Sequence, residues 1–136
     1  MADAPLLLDT HALLWWLDDD SRLSGPARDA IAEGGRRVLV SAASLWEIAT
    51  KHRLGKLGEA DAFLSDPQAV MRAEGFEPLA VTWPHALLAG RLDTPHRDPF
   101  DRMLAAQTIL DGLVLVSNER VMDGMGDGGR TVTRLW

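Results

Sequence analysis

Apolar residues in this chain gather in short, nearly unbroken runs: "PLLLD" (5–9), "RVLV" (37–40), "EPLAV" (77–81) and "LVLVS" (113–117). A strand that is wet on one face alternates apolar and polar residues, whereas one covered on both faces reads as a continuous run. Segments of helical period separate the runs, and "RTVTRLW" (130–136) predicts a fifth strand. Strands alternating with helices imply an α/β fold, with a central parallel sheet of about five strands flanked by helices on both faces.

The helices carry their own punctuation. One is expected over roughly 10–18, with Leu13, Leu14 and Leu17 on one face. Ser24 as N-cap, Pro26 early and terminal glycines predict a second over about 25–33. A third begins between Ser41 and Ser44 and stops near Gly55, and 59–74 is helical with a break at Pro67. Pro84 lies in the first turn of a helix over 83–92, and Pro99 and Gly112 bound the helix 99–112.

The 136 residues suit one domain, 1–136, with a real core. Cysteine is absent, which excludes disulfides and thiolate metal sites. The net charge of −6 argues against a generic polyanion binder. A nucleic-acid substrate then requires metal ions or local basic patches. No apolar stretch reaches the ~20 residues that span a bilayer. The first residues lack the basic start of a signal peptide, and Asp9 interrupts their apolar run. A soluble, cytoplasmic protein with no membrane partner is expected.

Helices that connect parallel strands begin at the carboxyl edge of the sheet, where α/β ligand sites form. Asp9 closes the first strand, Glu47 lies in the opening turns of the helix after the second, Asp98 and Asp101 start the helix leading to the fourth, and Glu119 follows that strand. Each has a structural explanation. Asp9 and Asp98 suit N-caps, Ser44 and Glu47 match a capping box, and Asp101 suits a first helical turn. Together on one edge these carboxylates repel each other unless a cation joins them. Hard oxygen ligands suit Mg²⁺ or Mn²⁺, ions commonly bound along with substrate phosphates.

"LLLDTHALLWWL", "SAASLWEIATKHRLGKL", "HRDPFDRMLAAQ" and "LVLVSNE" resemble, in order, the successive motifs of PIN-domain proteins, and among them the VapC-type toxins of bacterial type II toxin–antitoxin pairs. The resemblance runs from Leu6 to about Glu119. It implies a PIN-like three-layer sandwich and a metal-dependent endoribonuclease, with Asp9, Glu47 and Asp101 as catalytic acids holding Mg²⁺ or Mn²⁺, Glu47 directly or through water. The fourth family position usually reads Thr/Ser-x-Asp; here Ser117-Asn118-Glu119 places a glutamate there. Glu119 and Asp98 are therefore secondary metal candidates. The resemblance also implies an RNA substrate, homodimers, and a VapB-like antitoxin in a heterotetramer or larger assembly.

"KHRLGK" (51–56) is the main basic cluster, so Lys51, Arg53 and Lys56, with Arg97 and Arg102 near the acids, are candidate RNA contacts. Lys51 also stands four residues after Glu47, the spacing of an ordinary helical ion pair. His11 reads as a hydrogen-bonding residue, and His85 and His96 lack the spacing of a zinc site. Trp15 and Trp46 are expected in the core or at helix–helix contacts, with one of Trp15 and Trp16 facing outward. A competing reading is a catalytically decayed PIN-like module acting only through protein contacts. A dehalogenase-type phosphatase needs a second aspartate where His11 stands, and the phosphate-cradling "GxxxxGK" loop is missing.

Overall fold

The computed structural model describes residues 3–136, so the first two residues of the expected domain lie outside the described residues. In chain order the strands are β1 (Leu6–Leu8), β2 (Val38–Ser41), β3 (Glu77–Leu79), β4 (Val114–Val116), β5 (Gly126–Asp127), β6 (Arg130–Thr131) and β7 (Arg134–Leu135). The helices are α1 (Thr10–Leu17), α2 (Gly25–Ala32), α3 (Ala42–Arg53), α4 (Asp61–Ser65), α5 (Pro67–Glu74), α6 (Trp83–Arg91) and α7 (Pro99–Asp111). Short 3₁₀ turns cover Gly58–Ala60 and Arg120–Gly124.

The main sheet has the order β3-β2-β1-β4-β7, all neighbours parallel, with β1 in the middle. Leu6, Leu7 and Leu8 pair with Val38, Leu39 and Val40 on one side and with Val114, Leu115 and Val116 on the other. Successive strand side chains point to opposite faces, so this unbroken leucine run feeds two cores. Leu6 and Leu8 join Val38, Val40 and Ile48 in one, and Leu7 packs with Leu39, Leu104, Ala105 and Leu115 in the other. The α/β expectation thus holds: a five-stranded parallel sheet flanked by helices.

The expected fifth strand over 130–136 is not continuous. Arg130–Thr131 turns back on Gly126–Asp127 as an antiparallel hairpin, and only Arg134–Leu135 joins the sheet, beside β4. Gly128 and Gly129 have φ of 56° and 84°, the left-handed pair that a tight two-residue hairpin turn requires. Gly126 has a different constraint: a Cβ there would lie 2.6 Å from the Arg130 carbonyl oxygen.

Side chains cap most of the helices where sequence placed a cap. Asp9 accepts from Ala12 N, Ser24 from Ala27 N, and Asp98 from Phe100 N and Asp101 N. The Ser44–Glu47 capping box does not form. Ser41 is the N-cap of α3, accepting from Ala43 N, so Ser44 lies inside the helix, where its buried Oγ has no partner. Trp46 takes the second of its two expected places, a helix–helix contact with α7 rather than the core. The buried stripe of α3 is Ala43, Ser44, Glu47 and Ile48, which leaves Trp46 64% exposed against Phe100. Trp15 is half-buried beside Trp136, while Trp16 packs on Phe76 and donates to Glu74. Both of the pair are half-buried, and the exposed tryptophans are Trp46 and, at 92%, Trp83. Among the described residues, no helix is long and apolar enough to cross a membrane.

Candidate active site

Four separate elements bring acids to one cleft at the carboxyl edge of the sheet. Its walls are Asp9, Thr10, His11, Glu47, Lys51, Asp98, Asp101 and Glu119, around a volume of about 220 Å³. Three clefts are larger and contain none of these acids: two, of about 430 and 460 Å³, are lined mostly by apolar side chains, and one, of about 510 Å³, lies around Thr94, His96, Arg97 and Arg102. Chemistry rather than size therefore marks the site.

Asp9 follows β1 directly, and the extended backbone it needs as N-cap of α1 turns its carboxylate toward the helix start. It is 5% exposed and accepts a 2.7 Å bond from Ala12 N. Burial pushes its pKa up to about 6; the Ser117 hydroxyl, Ala12 N–H and His11 oppose the rise, and the charge of Asp101 adds to it. A carboxyl group in this condition lacks sufficient compensating positive charge.

Glu47 enters from the second turn of α3 and is 6% exposed. Thr10 Oγ1 donates to its Oε1 at 2.5 Å, and Lys51 Nζ donates to its Oε2 at 2.5 Å. The i,i+4 pair read from the sequence is present. Burial opposes the charge on Lys51, but its hydrogen bond to Glu47 and the fields of Glu47, Asp98 and Asp101 outweigh this and raise its pKa.

Asp101 lies in the first turn of α7, which Asp98 caps. Its Oδ2 is 2.8 Å from His96 Nε2. Burial raises its pKa, His96 counters, and the charges of Asp98 and Glu47 push upward again. Glu119 is exposed at the rim, where its N–H donates to Ser117 Oγ. Thr10 and His96 were not singled out as partners of the acids from sequence. Thr10 directly follows Asp9, so a hydroxyl in the first helical turn facing the same edge was the available signal.

Arg102 does not line the acid cleft. Its guanidinium donates to the carbonyls of Ala89, Gly90, Leu92, Thr94 and His96 at 2.7–3.4 Å, so all five N–H donors tie the segment after α6 to α7. Arg53, Lys56 and Arg97 are exposed. His11 stacks on Trp15 with ring centroids 5.4 Å apart, and His85 is buried between Thr82, Gln107 and Asp111.

As the side chains stand, no group of three or more histidine or acid residues is set to hold a metal ion, among the described residues. Glu47 is turned to Thr10 and Lys51, and Asp101 to His96. The donor set itself fits a hard divalent cation: it is composed of carboxylates from converging elements, and two of them have pKa values raised by burial and mutual repulsion.

The PIN-domain family matches residues 6–127 of the chain. No match occurs among curated proteins. Among solved structures, a chain of VapBC2 from Rickettsia felis, bound there to a DNA fragment from its promoter, is similar with a TM-score of 0.60 and 15% identity, over 84% of this chain and 87% of that one. PAE2754 from Pyrobaculum aerophilum gives a TM-score of 0.44 and 18% identity, over 87% of this chain and 82% of that one. At these identities the VapBC2 likeness concerns the fold.

Proposed function

The chain belongs to the PIN-domain family, whose members are generally nucleases, and on that premise we propose that it is a metal-dependent endoribonuclease, the toxin of a VapC-type toxin–antitoxin pair. The observation that carries the reading is the convergence of buried Asp9 and Glu47 with Asp101 in one cleft from three different elements.

Asp9, Glu47 and Asp101 are the residues that would hold Mg²⁺ or Mn²⁺, directly or through water, with Glu119 and Asp98 at the margin. Such an ion, when bound, lowers the pKa of the attacking water and neutralises charge developing on the phosphodiester. The chain's own groups supply orientation. Ala12 N fixes the Asp9 carboxylate, Thr10 fixes Glu47, and His96 fixes Asp101. The α1 and α7 N-termini place the positive ends of two helix dipoles beside these acids, where negative charge is favoured.

Exposed Arg53, Lys56 and Arg97, together with Lys51, are the proposed contacts to the RNA backbone. A VapB-like antitoxin with a basic segment complements the acid cleft, and the active unit is a homodimer, joined to antitoxin in a heterotetramer or larger complex. Its compartment is the cytoplasm.

The test is RNA cleavage by the purified chain in Mg²⁺ or Mn²⁺. Asp9→Asn and Asp101→Asn are expected to lower the rate by more than about 100-fold, beyond the 10–100-fold typical of outer-shell partners. Asp98→Asn is expected to stay active, because an amide still caps the helix. Wild-type protein inert toward every RNA pool in either ion would favour the decayed binding module, in which Glu119 marks a lost site. Equal rates in wild type and both mutants would reject the assigned acids.

A further inference from the structure

Lys51 is not an ordinary surface pair partner. Exposed lysine–glutamate pairs at i,i+4 have both ends in water and contribute little. Here the acid is buried: the Glu47 side chain is only 8% exposed and that of Lys51 35%. Thr10 occupies one carboxylate oxygen of Glu47 and Lys51 the other, so neither oxygen is left unengaged. Lys51 also lines the acid cleft and feels the charges of Asp98 and Asp101 in addition to that of Glu47. It is the lysine or arginine among the residues forming that cleft, which otherwise includes five carboxylates.

We propose that Lys51 is a built-in counter-cation: its ammonium neutralises the acid cleft in the metal-free protein and competes with a divalent ion for Glu47. The proposal rests on the reading of this cleft as a metal site. Two consequences oppose each other. Without metal, Lys51 relieves repulsion among Asp9, Glu47, Asp98 and Asp101 and so stabilises the fold. With metal, the same positive charge repels the incoming ion and holds one of its ligands. A plain helix-surface pair would have the first effect weakly and the second not at all.

The experiment uses the full chain, stripped with a chelator, and Mn²⁺ alone as the probe. Calorimetric titration compares wild type, Lys51→Met, Lys51→Arg and Asp9→Asn at fixed ionic strength, with thermal melts before and after Mn²⁺. Lys51→Met is expected to bind Mn²⁺ at least about tenfold more tightly than wild type, since one opposing charge a few ångströms away has gone. Its metal-free form is expected to melt below wild type, with a larger upward shift on adding Mn²⁺. Lys51→Arg, which keeps the charge, is expected to stay close to wild type. If wild type binds Mn²⁺ and Lys51→Met binds it equally or more weakly, the counter-cation role is wrong while the metal site stands. If none of the four proteins binds Mn²⁺, both the role and the metal reading fail. Lys51→Gln repeats the comparison should Lys51→Met not fold.

Discussion

Thr10 Oγ1 donates a 2.5 Å hydrogen bond to Glu47 Oε1, linking the first turn of α1 to the second turn of α3 across 37 positions of sequence. Both residues are buried. This bond orients the acid that enters the cleft from α3, and it couples the two helices that leave the carboxyl ends of adjacent strands β1 and β2.

Thr10→Val keeps the shape of the side chain and removes the donor. A buried carboxylate oxygen then loses its partner, at a cost of about 1–3 kcal/mol. Urea denaturation of metal-free protein should register this loss, and RNA cleavage should fall even at saturating metal because Glu47 is no longer held. Thr10→Ser retains the donor and should recover most of the activity. A Thr10→Val protein with unchanged stability and rate would show that the bond positions nothing.

Asp9 makes stability depend on pH in an unusual direction. Its folded pKa of about 6 exceeds the ordinary 3.8, so protonation favours the folded state. The contribution is fully present below about pH 4 and is lost as pH rises through about 6, an effect of roughly 3 kcal/mol from a shift of about two units. Asp9→Asn should therefore stabilise metal-free protein at pH 7.5 by up to about that amount while abolishing cleavage. Denaturant midpoints for both proteins at pH 4.5 and 7.5 test it: a mutant less stable than wild type at the higher pH would contradict the sign.

Arg102 should matter for the fold rather than for RNA. Arg102→Met takes the guanidinium away from five backbone carbonyls between Ala89 and His96, of which that of Leu92 still accepts from Thr94 N. A loss of about 2–4 kcal/mol is expected, with faster amide exchange confined first to the segment between α6 and α7. The salt dependence of RNA binding should not change, whereas Arg97→Ala should make it shallower by about one counterion. A shallower salt slope in Arg102→Met would restore it as a phosphate contact.

These cases show which properties sequence can carry. Asp98 before Pro99 was readable as a cap because capping depends on residue type, position and a local backbone turn. The parallel sheet was readable because burial on both faces removes polar residues from the strands. The fate of Arg102 was not, since composition near an acidic stretch does not reveal whether a guanidinium meets water or a loop of carbonyls. The same holds for Trp46: its helix was evident, but the buried stripe of α3 depends on which side the sheet and α7 approach. Ser44 illustrates a further limit, because Ser41 and Ser44 both suit an N-cap and only the end of β2 decides between them.

The central position of β1 bears on when the acid cleft can exist during synthesis. Leu6–Leu8 is made before both of its neighbours, and one of them, Val114–Val116, follows it only after most of the domain. Asp101 precedes that neighbour by a single helix. Domains of this size commonly assemble as units, and pairing over such a separation must close a long loop first. A nascent chain lacking β4 therefore presents Asp9 and Glu47 without the strand that completes their edge, so the acid cleft assembles only after β4 has been made.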